Sequence, residues 1–138
     1  IRLSLVGSEM CIRDRLTYLS MVSRALKAAE EAGVDAEVID LRTLDRASLD
    51  WDTIGASIQK TNNVLIVEQG ARGTSYGAML ADEIQRRYFD WLDQPVKRVT
   101  GGEASPSISK VLERAAFADT EEVIAGLADV LADLGEQA

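Results

Sequence analysis

Asn63 to Gly77, reading NVLIVEQGARGTSYG, constrain this chain more than any other stretch. Val64, Leu65, Ile66 and Val67 form an unbroken apolar run with no alternation. A strand apolar on both sides is covered on both faces, which places it in the middle of a parallel sheet. The run closes on Glu68, glycines follow at Gly70, Gly73 and Gly77, and a helical pattern begins at once. Strand, glycine-rich turn and helix in that order make the functional edge of open α/β sheets. Helix N-termini expose unpaired N–H groups there, and glycine permits positive φ and close approach of another backbone. The spacing is neither G-x-G-x-x-G nor the phosphate loop, since no lysine follows. Two readings stay open: a tight turn that packs the helix close to the sheet, or a stand-alone phosphate- or nucleotide-binding module on the Gly70–Gly77 turn.

The flanking sequence repeats the alternation of strand and helix. Leu16 to Leu19 reads as the end of a strand, with Ser20 or Ser23 as cap of the helix that follows. Val22, Ala25, Leu26 and Ala29 fall on one helical face, and Gly33 ends it. Ala36 to Thr43 is a second strand. Ser48 or Asp50 caps a helix reaching about Thr61, with Trp51, Ile54 and Ile58 inward. After the central strand a helix is expected from Ser75 to Asp90, burying Gly77, Ala81, Ile84, Tyr88 and Trp91, with Asp82, Glu83, Arg86 and Arg87 elsewhere. Val96 to Thr100 alternates and reads as a strand nearer an edge. Ser107 to Ala116 is a short helix. Thr120 caps the last helix, whose core stripe is Val123, Ile124, Leu127, Val130, Leu131 and Leu134, and Gly135 ends it. This pattern predicts one α/β domain, a three-layer α/β/α arrangement on a mostly parallel mixed sheet of about four to five strands.

The first fifteen residues, IRLSLVGSEMCIRDR, fit this scheme poorly. Leu3 to Val6 suits a strand, but a charge cluster then meets LTYLS with no turn chemistry between. The apolar run is too short for a targeting signal and lacks a small-residue cleavage site. SEMCIRDR resembles a peptide that recurs at the ends of assembled metagenomic reading frames, where adapter sequence has been translated. Residues 1–15 are therefore expected to be a foreign leader on a truncated gene and residues 16–138 the domain; a genuine first strand is the alternative.

Composition narrows the chemistry. The chain has no histidine, hence no imidazole base, no Ser-His-Asp triad and no histidine metal ligand. Its single cysteine, Cys11, allows neither an internal disulfide nor a cysteine-cluster zinc site. A net charge of -8 disfavours nucleic acid and anionic membrane surfaces and favours docking to something basic. No apolar run has membrane-spanning length. Nothing suggests an oxidising compartment, and a cytoplasmic location is expected.

Several segments together resemble one family. AEVIDLRTL, a downstream LDWDTI, VLIVEQG, GTSYGAMLADEIQ and FDWLDQPVKRVTG are similar, in this order, to the carboxy-terminal domain of the transketolase superfamily. Within it they look most like the beta subunit of the decarboxylase component of 2-oxoacid dehydrogenase complexes, pyruvate dehydrogenase in particular. The resemblance covers roughly Leu16 to Leu134. It implies a three-layer fold whose first strand is antiparallel to the rest and lies in the leader region. It implies a parent oxidoreductase using thiamine diphosphate and magnesium to decarboxylate a 2-oxoacid and pass the acyl group to lipoamide. It also implies an alpha subunit and a second beta subunit in a heterotetramer, and a dihydrolipoyl acyltransferase core as partners. The cofactor's pyrimidine site and its activating glutamate belong to an amino-terminal domain. This chain alone is then expected to bind no cofactor, to be inactive, and to serve assembly and docking. Branched-chain, acetoin, transketolase and deoxyxylulose-phosphate synthase parents stay open.

No catalytic or metal residue is assigned. Asp40 and Glu68, at the ends of strands that look adjacent, are either an acid/base pair, or ion-pair partners of Arg42 or Arg72, or caps on a nearby loop N–H. Candidate interface residues are Asp40, Arg42, Glu68, Gly70, Arg72, Gly73, Tyr76 and Gly77: fork donors, an aromatic and small neighbours that permit close packing. Tyr88, Phe89 and Trp91, with Asp90 and Asp93, form either a core edge or a landing for a basic domain. Glu121, Glu122, Asp129 and Asp133 are candidates for docking the acyltransferase, or a solvated face.

Overall fold

The computed structural model describes residues 2–5, 14–34, 36–103 and 108–136. Among the described residues five strands and five α-helices follow in order: β1 (Arg2–Leu5), β2 (Asp14–Thr17), α1 (Met21–Ala32), β3 (Ala36–Asp40), α2 (Trp51–Thr61), β4 (Val64–Ala71), α3 (Tyr76–Tyr88), β5 (Lys97–Gly101), α4 (Lys110–Ala116) and α5 (Thr120–Glu136). The strands form one sheet in the order β1-β3-β2-β4-β5. β1 is antiparallel to β3, and every other pairing is parallel. The expected α/β/α architecture on a mixed sheet is thus present, with the first strand reversed.

The apolar run of β4 is buried because two separate cores meet it. Val64 and Ile66 join Leu16, Ile39, Ile54, Ile58, Leu80 and Ile84 on the face covered by α2 and α3. Leu65 and Val67 join Met21, Ala28, Val99, Val123, Leu127 and Val130 on the face covered by α1 and α5. Successive side chains of a strand point to opposite faces, so a strand between two helical layers is apolar on both sides along Val64–Val67. Local signals set the helix ends. The Asp50 carboxylate accepts from Thr53 N at 3.0 Å and caps α2. Gly33, at φ 60°, closes α1.

Several boundaries differ from the sequence pattern. β4 runs on to Ala71, so Gly70 lies within a strand, with a register irregularity between Val67 and Ala71 against β5. β3 stops at Asp40, and Arg42 turns the chain at φ 57°. Ser20 sits at the start of α1 without a side-chain capping bond, while Ser23 lies inside the helix and donates back to Ser20 O. α3 ends at Tyr88 and tightens into a 3₁₀ turn, Phe89–Trp91. That turn takes Trp91 off the helical spacing and leaves it exposed, whereas Leu80 and Glu83 join the buried face. Glu83 tolerates burial because Arg46, Arg87 and Arg86 approach it at 2.7, 3.0 and 3.8 Å. Arg87 also lies 4.4 Å above the Trp51 ring.

At α5 the cap is Asp119, one residue before Thr120: its carboxylate accepts from Thr120 N, and its own N–H is taken by Glu122 at 2.8 Å. Gly135 lies inside α5 and does not end it. Leu131, expected in the core, is exposed. Of the first fifteen residues, β1 lies at the sheet edge and Asp14 and Arg15 open β2, so this central strand crosses the 15/16 boundary. Cys11, residues 104–107 and the Asp133 and Leu134 side chains lie outside the described residues.

Ile66 is fully buried at the centre of the first core. Ile66→Ala should lower the unfolding free energy by about 2–5 kcal/mol, read from the denaturant midpoint at unchanged slope.

Candidate functional site

Order reverses at β2: the chain leaves it for β3 on one side and returns to β4 on the other. In an open α/β sheet the crevice at the carboxyl ends of such strands is where ligands and partners gather. Here the ends are Tyr18, just after β2, and Glu68, in β4.

Glu68 is completely buried. An ionised carboxylate out of water needs compensation from several donors, and the surrounding elements provide them. Arg98 of β5 reaches Oε1 through Nη2 at 2.8 Å and Nε at 3.3 Å. Ser75 Oγ donates to the same oxygen at 2.7 Å. Oε2 accepts from the Gly77 backbone N–H at 2.8 Å and the Tyr18 hydroxyl at 3.1 Å. The carboxylate thus sits at the N-terminus of α3, where the helix dipole favours a negative charge. Any side chain at Gly77 would overlap that carboxylate, and one at Gly70 would meet Ser75 Cβ at 2.8 Å. Neither glycine, nor Gly73, takes positive φ. Gly70 and Gly77 serve close approach, a Cβ at Gly73 would meet open space, and the expected conformational role is absent at all three.

Arg98 also latches the turn beyond the strand. Its Nη2 donates to Arg72 O at 2.9 Å and Ser75 Oγ at 2.8 Å. Arg72 N in turn donates to Gly102 O at 3.3 Å. The Arg72–Ser75 turn is therefore tied to β5 by both backbone and side chain. Tyr76 packs edge-on to Tyr18, with ring centroids 6.3 Å apart. Burial pushes the Tyr18 phenol above its ordinary range, and the Glu68 charge adds to this.

The structure sorts the sequence candidates. Glu68, Gly70, Tyr76 and Gly77 converge on this node. Arg72 and Gly73 form its exposed rim. Asp40 and Glu68 are not neighbours, because β2 lies between their strands. Asp40 accepts from Arg42 at 2.8 Å, and Glu68 pairs with Arg98 in place of Arg72. Neither carboxylate is placed to act on the other. Gly77 N–H already holds Glu68, so the phosphate-site reading meets an anion in position. On α5, Glu121, Glu122 and Asp129 are exposed. Glu122 is engaged in capping, and with Asp129 it borders a groove of about 680 Å³ along β5. Phe89 and Trp91 are exposed, while Tyr88 donates to Trp51 O at 2.9 Å.

Three contributors escaped the sequence reading: Tyr18, Ser75 and Arg98. Ser75 stands where a cap is expected, but its hydroxyl serves Glu68. Arg98 has one signal, a cation inside a short strand. Its partner follows only from register, which sets it against Ile66, two residues before Glu68.

Comparison with known proteins agrees with this architecture. Residues 15–123 match the family described as transketolase, C-terminal domain. The pyruvate dehydrogenase E1 component subunit beta of Saccharomyces cerevisiae mitochondria is 36% identical over 130 residues, 91% of this chain and 34% of that protein. The Rickettsia felis pyruvate dehydrogenase E1 component subunit beta is 37% identical, over 86% of this chain and 36% of its own. The 2-oxoisovalerate dehydrogenase subunit beta of Pseudomonas aeruginosa is 45% identical over 86 residues, 62% of this chain and 24% of that one. The chain thus spans about a quarter to a third of the length of these relatives. Among solved structures, a split-gene transketolase in an inactive beta4 tetramer superposes with a TM-score of 0.70 at 21% identity, over 94% of this chain and 41% of that one. At that identity the likeness shows the fold.

Arg98→Met strands the Glu68 charge and should destabilise the protein by about 3–5 kcal/mol; Arg98→Met with Glu68→Gln should recover a measurable part in a double-mutant cycle. A folded-state phenol held above its unfolded value stabilises fully below pH about 10, and that stability is lost as pH rises further. Tyr18→Phe should therefore cost about 1 kcal/mol at pH 7 and show a shallower loss above pH 10 than the parent, in denaturant midpoints across that range.

Proposed function

We propose, from the premise that this chain belongs to the transketolase C-terminal domain family, that it is the assembly and docking domain of a 2-oxoacid dehydrogenase beta subunit. The parent enzyme decarboxylates a 2-oxoacid with thiamine diphosphate and magnesium and passes the acyl group to lipoamide. This domain joins the alpha subunit and a second beta subunit in a heterotetramer and offers a surface to the dihydrolipoyl acyltransferase core.

The observation that carries this reading is the internal saturation of the carboxyl edge. Glu68 has four donor groups from its own chain, and Asp40 has Arg42. Groups consumed in this way hold a shape; they do not move protons for a substrate. Around them the Arg72–Thr74 rim is exposed, a rigid lip suited to another protein.

The described residues do not fit the cofactor. Among them no group of three or more His, Cys, Asp or Glu side chains could hold a metal ion. At the switch point the N-terminus of α3 holds Glu68 through the Gly77 N–H. No chemical step is therefore assigned to this domain.

Pyruvate is the proposed substrate of the parent, supported by relatives that align over most of the chain. A branched-chain 2-oxoacid is the second reading, favoured by the higher identity of the 2-oxoisovalerate dehydrogenase beta subunit over a shorter span.

The test is binding. In sedimentation, the folded chain should associate with its cognate alpha subunit or with the acyltransferase's binding module. Calorimetry with thiamine diphosphate and magnesium should give no saturable heat. A folded chain that binds neither protein, or that grips the cofactor tightly or turns over an oxoacid alone, overturns the assignment.

A further inference from the structure

The sheet ends at β5. β4 pairs with one side of it, and among the described residues no strand pairs with the other. An edge strand offers backbone donors and acceptors to any extended chain, and folds commonly guard such edges with proline or a covering element. Lys97–Gly101 contains no proline, and β5 lines a groove along its whole length.

The groove holds about 680 Å³. Val96 to Gly102 form one wall, and α5 forms the other through Glu122, Ala125, Gly126 and Asp129. That spacing puts the four on one face of the helix. The helix lies this close to the strand because position 126 is glycine: a Cβ there would overlap Val99 Cγ2. Two small residues therefore leave room beside the edge, with an acid on either side of them.

The charge of the groove has a definite sign. Glu103, Glu122 and Asp129 line it and are exposed. Among the lining cations, Arg98 is held by Glu68, and Lys97 has an interaction within the chain. Arg72 stands at one end, where its N–H meets Gly102 O. The length of the groove beside α5 is thus acidic.

We propose that this groove receives an extended, lysine- or arginine-bearing segment of a partner chain, which adds to β5 as a sixth strand and sets its cations against Glu122 and Asp129. The strand edge fixes the conformation of the occupant, and the two acids fix its charge. In strand addition the main chain supplies affinity and alternate side chains supply specificity. Val99 packs in the core beneath α5, so an added strand would send every second side chain to the same side, toward the acids. The inference rests on the docking reading above for the origin of the segment in a partner; the groove belongs to this domain.

The experiment is calorimetry of the folded chain with an acetylated, amidated decapeptide that alternates lysine with valine. It should bind with a micromolar dissociation constant, and its glutamate-for-lysine counterpart at least tenfold more weakly. Two N-methylated forms separate a ladder from plain attraction to a chain of net charge -8: one methylated at every valine nitrogen, the other at every lysine nitrogen. The N–H groups on one edge of a strand belong to alternate residues, so one form should lose at least tenfold and the other should keep its affinity. Glu122→Gln with Asp129→Asn should also weaken binding at least tenfold, and the glutamine keeps an acceptor for Asp119 N–H. Absence of saturable binding, equal behaviour of the two methylated forms, or a smaller loss in the double variant overturns the proposal. If the peptide fails while the alpha subunit binds, the groove falls and the assembly reading stands. If the peptide binds as described and neither partner protein does, the groove stands and the assembly reading falls.

Discussion

A full negative charge sits inside this domain with no water to meet it, and the architecture of the switch point follows from that constraint. Glu68 is shared between Arg98 from β5, Ser75 and Gly77 from the start of α3, and Tyr18 from the end of β2. One carboxylate therefore fixes three strands and a helix with respect to each other. An isolated buried charge is among the costliest things a fold can contain. A paired one, with each lone pair occupied, gives a geometry that admits few alternatives. The strict need for glycine at position 77 is a consequence of this, because the carboxylate occupies the volume a Cβ requires.

The two-sided core makes such a node possible. With α2 and α3 on one face of β4 and α1 and α5 on the other, the strand end is closed above and below. Donors can then arrive only along the sheet or from the helix that follows. Neighbouring β2 contributes from one side and β5 from the other. The same geometry turns the Arg72–Ser75 segment from a flexible glycine loop into a latched rim.

Much of this was legible in the chain, for identifiable reasons. The unbroken Val64–Val67 run announced a covered strand, since burial of both faces removes the alternation. Asp50, Gly33 and the acids opening α5 marked helix ends through short-range hydrogen bonding and dipole effects, both local. The Asp40–Arg42 pair was among the readings because its members are two residues apart. The helix over Tyr76–Tyr88 was plain, but its buried face was drawn one step wrong. Hydropathy keeps Glu83 outside, whereas three arginines, one from a loop 37 residues away, let it in.

By itself the sequence settled the class of fold and, from Leu16 onward, the succession of its elements. Each is written in periodicity and in punctuation read over a few residues. Tertiary structure decided the partners. That Glu68 meets Arg98, thirty residues on, and that Asp40 lies a strand too far away both depend on strand order and register. Those depend on which faces of distant segments exclude water together, and no local pattern carries that information.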